Sequence, residues 1–324
     1  DRVQEGINSL NIINSEIDNF ESIDLVKYSE KLINNVDLEY GGFKGAPKFM
    51  MPSNLDFLLR YSVQEKNIKA QNIILKTLDK MAYGGIFDHV EGGFSRYSTD
   101  EKWHIPHFEK MLYDNGQLMS LYSKGYKISN KRLYKKIVYK IHEYIHSEMK
   151  DNTGGFYSSL DADSKINDST YIEGAYYSWE FSELQNLIEE DFELFSDYFN
   201  INEYGYWKEE NKYVLINSLS DSEFISKHNL SEKAFDKKLS NWTNLLKEAK
   251  KNKKKPNLDY KIVTSWNGLM ISGYVEAYKA FNDEIFLNEA IQAGNFIYLS
   301  LIKKDGGLFH NYVNEKSKIN GYLE

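Results

Sequence analysis

The chain contains no cysteine and only four prolines among its 324 residues. The absence of cysteine excludes a disulfide framework, a cysteine zinc site, a thiol nucleophile and a C-x-x-C redox pair within this sequence. The scarcity of proline, together with 20 glycines, argues against a loop-rich all-β chain and against a proline-rich linker. Any chemistry must therefore come from other side chains.

The chain also lacks a positive charge balance and a long apolar run. Forty Lys and Arg residues against 48 Asp and Glu residues give a formal net charge of −8. Phosphate binding needs a cationic face, and the basic run 247–255 is typical of a solvated helix end, so we expect no nucleic-acid partner. No apolar stretch reaches the ~18 residues that cross a bilayer, and residues 1–11 have no signal-peptide pattern. We expect no membrane partner and a cytoplasmic location.

Apolar residues recur every three or four positions along most of the chain, which is the spacing of an amphipathic helix. Leu133, Ile137, Ile141, Ile145 and Met149 are one such series. The periodicity predicts about ten helices, with 179–199 as one helix or two. The predicted segments are 24–36, 53–66, 68–83, 106–129, 131–149, 179–199, 231–254, 266–281 and 285–303.

Half of the glycines stand in five Gly-Gly doublets, each followed by an apolar residue. Four doublets come just after a predicted helix, where glycine can adopt the left-handed conformation that ends it. The repetition predicts a unit of two helices, a Gly-Gly-Phe turn and a short extended piece. The uneven spacing of the doublets and the long loops favour an all-α toroid over a regular solenoid. A six-hairpin ring needs about twelve helices, and the periodicity predicts about ten. The doublets are 41–42, 84–85, 92–93, 154–155 and 306–307.

The segment 88–115 has the highest density of reactive side chains, including three of the seven histidines. Pro106 suits the first turn of a helix and would place His107 and Glu109 at its positive end. There Glu109 is stabilised as an anion and His107 can act as a neutral base, as proton abstraction or glycoside chemistry requires. The alternative is a polar network that anchors the loop. His104-x-x-His107 departs from the spacing of a zinc-binding helix, so we predict no metal and no cofactor.

Two further segments carry candidate side chains. Asp161 and Asp163 lie on one side of an extended stretch, and with Glu173 they could supply the acid and base of a glycosidase. They could equally cap turns and hold the loop. Trp266 and Asn267 open a predicted helix and could line a sugar pocket with a flat apolar face and paired hydrogen bonds.

Several segments, in this order, are similar to one family. They are GGFKGAPKF at 41–49, the run from GGIFDHVEGG to PHFEKMLYDN at 84–115, GGFYSSLDADS at 154–164, EGAYYSW at 173–179 and TSWNGLM at 264–270. Together they resemble the spermatogenesis-associated, thioredoxin-domain-containing proteins of bacteria and eukaryotes. The resemblance implies an N-terminal thioredoxin-like partner domain, then an (α/α)6 toroid similar to N-acylglucosamine 2-epimerases and six-hairpin glycosidases.

The resemblance further implies that residues 1–324 are a single toroid domain without the thioredoxin-like part, in keeping with the absence of cysteine. The final GYLE resembles the start of another family motif, so we expect the closing hairpins to be missing. The family has no settled reaction. Our leading hypothesis is a toroid that binds or acts on a carbohydrate by epimerase- or isomerase-like acid–base chemistry.

Two alternatives remain open, a glycoside hydrolase-like activity and a non-catalytic scaffold that binds a ligand or client beside the thioredoxin-like domain. Epimerisation predicts a facing pair of bases, most simply histidines, whereas hydrolysis predicts opposed carboxyl groups about 5 to 9.5 Å apart, such as Glu109 and Asp161. The catalytic candidates are His89, His107, Glu109, Asp161 and Asp163. The substrate-binding candidates are Arg96, Tyr97, Lys110, Tyr113, Asp114, Asn115, Glu173, Trp266 and Asn267.

Overall fold

The computed structural model describes residues 24–167, 169–314, 317 and 319–321. The chain divides into two compact units, residues 1–34 and 35–324. In the first unit the structure describes one helix, α1, Leu25–Asn34. The expectation about a signal peptide in 1–11, and the last three residues of the GYLE motif, lie outside the described residues.

The second unit is built mainly of helices, and the all-α class is confirmed. Because apolar side chains recur along one face, the helices bury that face, as Ile137, Val138 and Ile141 do in the helix Arg132–Tyr144. The segment 179–199 forms two helices separated by a 3₁₀ turn, Glu189–Asp191, and the helix Arg132–Tyr144 continues into a π-helical turn, Ile145–Met149. The helices are α2 Pro52–Gln64, α3 Ile68–Tyr83, α4 Leu112–Ser129, α5 Arg132–Tyr144, α6 Phe181–Ile188, α7 Phe192–Phe199, α8 Asp221–Lys227, α9 Glu232–Lys250, α10 Thr264–Phe281 and α11 Glu284–Ser300.

Consecutive helices form the expected hairpins. Helix α2 packs on α3, α4 on α5, and α10 on α11. Helix α4 also contacts α2 and lies along α10, where Gly116 and Gly273 let the two backbones approach. A Cβ atom on Gly273 would lie 2.5 Å from the carbonyl oxygen of Gly116, so a larger residue would force the helices apart. An inner row of α2, α4 and α10, backed by the outer helices α3, α5 and α11, is the arrangement of an α/α toroid.

Short extended pieces connect the helices at the Gly-Gly loops. Four doublets fold into miniature hairpins that are closed by the bridges Val36–Phe43, Phe87–Phe94, Lys150–Phe156 and Ile302–Leu308. The doublet at 84–85 differs from our expectation, because Gly84 ends α3 with φ −72° rather than in the left-handed region. Its role is close packing, since a Cβ on Gly84 would lie 2.5 Å from the carbonyl oxygen of Trp103.

Twelve strands of two or three residues form five small antiparallel sheets among the described residues. The sheet orders are β1-β2-β3, β10-β5-β4, β11-β12, β6-β7 and β8-β9. The strands are β1 Lys48–Phe49, β2 Tyr97–Ser98, β3 Pro106–His107, β4 Lys110–Met111, β5 Ser159–Leu160, β6 Asp163–Lys165, β7 Tyr171–Glu173, β8 Tyr206–Trp207, β9 Lys212–Tyr213, β10 Leu258–Asp259, β11 Ile262–Val263 and β12 Asn311–Tyr312.

One predicted helix start is wrong, and it concerns the densest polar segment. Helix α4 begins at Leu112 rather than at residue 106, because Pro106–His107 pairs with β2 and Lys110–Met111 pairs with β5. His107 and Glu109 therefore do not lie at a helix N-terminus. The acid in the first turn of α4 is Asp114.

The remaining helices, α6 to α9, enclose an aromatic core of their own that includes Trp179, Phe195 and Trp242, all fully buried. Helix α8 was not predicted, although Ser220 and Glu223 form a capping box at its start. Among the described residues, no helix combines the length and the apolar character that a bilayer span requires.

Candidate functional site

The polar candidates that meet in space are grouped around His107. Its Nδ1 lies 2.6 Å from Oε1 of Glu173, and its Nε2 lies 3.8 Å from Oε2 of Glu109. The register of β2 and β3 sets Tyr97 opposite His107, and the two rings stack with centroids 5.0 Å apart. When Nδ1–H donates to the Glu173 carboxylate, the neutral imidazole keeps its lone pair on Nε2. His107 is thus held as an oriented base.

Arg96 fixes the second carboxylate of this group. Its Nη1 lies 3.0 Å from Glu109 Oε2, and its backbone N–H donates to the Glu109 carbonyl at 2.8 Å. The Arg96 side chain is 44% exposed and that of Glu109 23% exposed, so both can reach a bound molecule. Glu109 Oε2 thus lies between the guanidinium of Arg96, at 3.0 Å, and Nε2 of His107, at 3.8 Å.

Asp114 is the unusual acid of the site. The residue is only 6% exposed, and its Oδ2 has no hydrogen-bond partner among the described residues. Burial raises the pKa of Asp114 to about 8; Arg96 opposes this shift and Glu109 adds to it. Burial therefore favours the neutral carboxylic acid over the carboxylate at this position.

Aromatic rings form the wall next to this acid. Tyr113 and Trp266 meet edge to face with their centroids 4.9 Å apart. Both line a cleft of about 660 Å³, together with residues of the α10 start and of 308–310. The Oγ of Ser265, another lining residue, is buried without a hydrogen-bond partner among the described residues. The cleft offers flat apolar faces, and Tyr113 on its wall interacts with Arg96 of the charged group.

Lys110 lies apart from this cleft, in the interior. Its side chain is 1% exposed, and its Nζ lies 2.8 Å from Asp88 Oδ2 and 2.8 Å from the Gly92 carbonyl oxygen. The ammonium group also lies 4.5 Å from the centroid of the Tyr144 ring. Its donors are used in holding a Gly-Gly loop, and a contact with substrate stays a prediction.

Asn115 and Asn267 occupy equivalent positions in two hairpins. Each is fully buried, accepts the N–H of the phenylalanine after a Gly-Gly doublet at 2.8 Å and donates to the carbonyl of that residue at 3.0 Å. The phenylalanines are Phe94 and Phe156. Both amides tie a loop to the first turns of an inner helix, and a role in substrate binding stays a prediction for both.

The other candidates lie elsewhere. His89 faces a separate cavity of about 250 Å³ between α5 and α9, where its Nε2 lies 3.1 Å from the Gly84 carbonyl oxygen and burial lowers its pKa to about 4. Asp161 is exposed, and its Oδ1 accepts the N–H of Ala162. Asp163 lies across the β6–β7 pair from Glu173, near the His107 group. The structure therefore does not bring His89 to His107.

No family model matches the chain. The sequence is 36% identical over 308 residues to an uncharacterised protein of Caenorhabditis elegans, covering 88% of this chain and 41% of that protein. It is 35% identical over 291 residues to human spermatogenesis-associated protein 20, covering 83% of this chain and 37% of that protein. The chain thus spans about two fifths of the length of these relatives.

Among solved structures, a sugar epimerase from a ruminal bacterium is 14% identical, with a TM-score of 0.37 over 90% of this chain and 89% of that chain. An α-1,6-mannanase of Salegentibacter is 10% identical, with a TM-score of 0.42 over 78% of this chain and 47% of that chain. At these values neither likeness assigns a function. The sequence comparisons show that the chain is homologous to part of spermatogenesis-associated protein 20.

Proposed function

We propose that a carbohydrate bound in the cleft lined by Tyr113 and Trp266 reaches His107, and that His107 moves a proton at the carbon next to the sugar carbonyl, an epimerase- or isomerase-like activity. One observation carries the proposal. The imidazole is fixed by Glu173 through Nδ1 and by the Tyr97 ring, while Nε2 makes no hydrogen bond with the described residues and lies 3.8 Å from Glu109.

The chemistry follows from these contacts. Nε2 of His107 takes the proton from the carbon, and the electron pair of the broken C–H bond forms a carbon–carbon double bond as negative charge develops on the carbonyl oxygen. The exposed guanidinium of Arg96 stabilises that charge, and Glu173 stabilises the imidazolium that forms. Return of the proton to the same carbon or to its neighbour gives an epimer or an isomer.

The residues that line the cleft suit a sugar better than a flat or strongly charged substrate. Trp266 and Tyr113 present apolar ring surfaces of the kind that the C–H faces of sugars cover. Arg96, which interacts with Tyr113, and its partner Glu109 are partly exposed and can bind sugar hydroxyls. In the longer protein that the family resemblance implies, this site would lie in the toroid, beside a thioredoxin-like domain.

Hydrogen exchange tests the proposal directly. The chain is incubated in D₂O with a panel of reducing mono- and disaccharides, and proton NMR follows loss of the C2 proton and appearance of new sugars. We expect exchange with at least one sugar. Replacing the base, His107→Asn, should lower the exchange rate by at least about 100-fold.

His228→Asn is the matched control. His228 is 26% exposed and lies 2.6 Å from an Asp197 carboxylate oxygen, so it repeats the histidine–carboxylate pair of His107 outside the cleft. It should exchange at the wild-type rate. Release of reducing ends without exchange would instead indicate hydrolysis. Equal rates in wild type and His107→Asn would contradict the assignment of His107.

A further inference from the structure

We propose that Asp114 is the second proton-transfer group of this site, a carboxylic acid that gives its proton to the carbonyl oxygen while His107 removes the carbon-bound proton. The inference rests on the proposed function above. The bonds balance: the C–H pair becomes the new C=C bond, the carbonyl π pair becomes the O–H bond, and the product is an enediol. His107 then carries a positive charge and Asp114 a negative one.

The position of Asp114 supports this role. It lies in the first turn of α4, directly after Tyr113, which lines the cleft, and its environment includes Arg96 and Glu109. The residue is only 6% exposed, yet in the described part of the chain neither a lysine nor a backbone N–H satisfies Oδ2. A buried polar atom without a partner costs about 1 to 3 kcal/mol, and the oxygen of a bound substrate would supply the missing partner.

The charges around Asp114 explain how it can both keep and release a proton. Burial favours the neutral acid, and the nearby Glu109 carboxylate favours it further. Tyr113, the other titratable neighbour, has its own pKa raised by burial and by Asp114, so it stays neutral. Arg96 favours the carboxylate, so the anion left after proton transfer forms beside a cation. The helix start of α4 adds its positive dipole end to that stabilisation.

Two measurements on Asp114→Asn test the inference. The amide has the same shape and can still donate a hydrogen bond, but it cannot release a proton to the substrate. Infrared difference spectra of wild type minus Asp114→Asn, without sugar, should show a protonated carboxyl C=O band that disappears with a midpoint near pH 8. Asp236→Asn, at a 51% exposed side chain, should show no such band.

The second measurement is the C2 exchange reaction. Asp114→Asn should lower kcat by about 100-fold or more and leave KM within a few fold, because the amide preserves binding and removes only the proton transfer. An ionised Asp114 at pH 6, or an unchanged kcat in Asp114→Asn, would overturn the inference. If wild type exchanges no sugar, the proposed function fails and with it the catalytic role, whereas the infrared band still decides whether Asp114 holds a proton.

Discussion

Asp88 and Asp114 are two buried aspartates with opposite electrostatics. The Asp88 side chain is 9% exposed, and it accepts the N–H groups of Val90 and Glu91 and pairs with Lys110 at 2.8 Å. Burial opposes ionisation of Asp88, but Lys110 and Lys250 outweigh it and hold its pKa below the ordinary range. No lysine of the described residues pairs with Asp114, and its pKa is raised. Similar burial of the same side chain therefore does not fix the pKa, because the charged partners decide its direction.

The Asp88 arrangement is a repeated structural device. Asp37 also stands before a Gly-Gly-Phe turn, its Oδ2 lies 2.6 Å from Lys48 Nζ, and that lysine donates to the Gly41 carbonyl oxygen at 3.0 Å. Lys110 makes the same pair of contacts with Asp88 and Gly92. The repetition indicates that these buried ion pairs hold the loop of each hairpin. Within residues 24–167 and 169–314, Asp114 makes no ion pair with a lysine.

The largest expected loss of stability comes from breaking the buried ion pair between Asp88 and Lys110. Asp88→Asn keeps the acceptor for the backbone N–H groups but leaves Lys110, 1% exposed, without its counter-ion. We expect the free energy of unfolding to fall by about 3 to 5 kcal/mol, measured by denaturant titration at pH 7. Asp37→Asn, where the carboxyl is 14% exposed, should cost less. A smaller loss in Asp88→Asn than in Asp37→Asn would contradict the comparison.

Asp114→Asn should change the free energy of unfolding less than Asp88→Asn does. The pH dependence of that change should have the opposite sign to that of a paired aspartate. Between the ordinary pKa of 3.8 and the folded pKa of about 8, the folded chain binds a proton that the unfolded chain has released. The stability that Asp114 contributes is complete below pH 3.8, falls as the pH rises and is lost above pH 8.

Denaturant titrations at pH 5 and pH 9 measure this difference. Wild type should lose up to about 4 kcal/mol more than Asp114→Asn over that interval, because each pH unit between 5 and the folded pKa of about 8 is worth about 1.4 kcal/mol for one linked proton. Parallel pH profiles for the two proteins would show that Asp114 is ionised in the folded chain, like Asp88.

The sequence predicts the helical frame well because the frame depends on periodic burial and on glycine. Helix α3 has the predicted bounds, residues 68–83, and the Gly-Gly-Phe loops form as expected. The start of α4 was wrong because partners distant in sequence decided it: β2 and β5 hold residues 106–111 extended. Local propensity cannot foresee such pairing.

The site was predictable in part. The residue types around His107 pointed to acid–base chemistry, and the structure brings Arg96, Glu109 and Glu173 to it. Sequence alone could not separate Asp114 from Asp88, because burial and partners arise from tertiary contacts. One missed signal was available: an aspartate stands four residues before the doublets at 41–42 and 92–93, which marks Asp37 and Asp88 as loop residues.

The smallest expected effect is a shift in the pKa of Asp114 when one of its charged neighbours, Arg96 or Glu109, is replaced. Arg96→Met removes a cation that favours the carboxylate, so it should raise the pKa of Asp114, whereas Glu109→Gln removes an anion and should lower it. Because Arg96 is partly exposed, solvent screens both effects, and we expect shifts of less than about one unit.

The pH titration of the infrared carboxyl band reports both shifts, and Arg132→Met, whose side chain is 68% exposed and pairs with Asp236, serves as the control without effect. Shifts of the same sign in the two variants would mean that Asp114 does not sense these charges. Its raised pKa would then come from burial alone, and the anion formed by proton transfer would lose the support of Arg96. The pKa of Asp114 would in that case still differ from that of Asp88, because Lys110 and Lys250 lower only the latter. The charges around Asp114 would then give no support to its release of a proton.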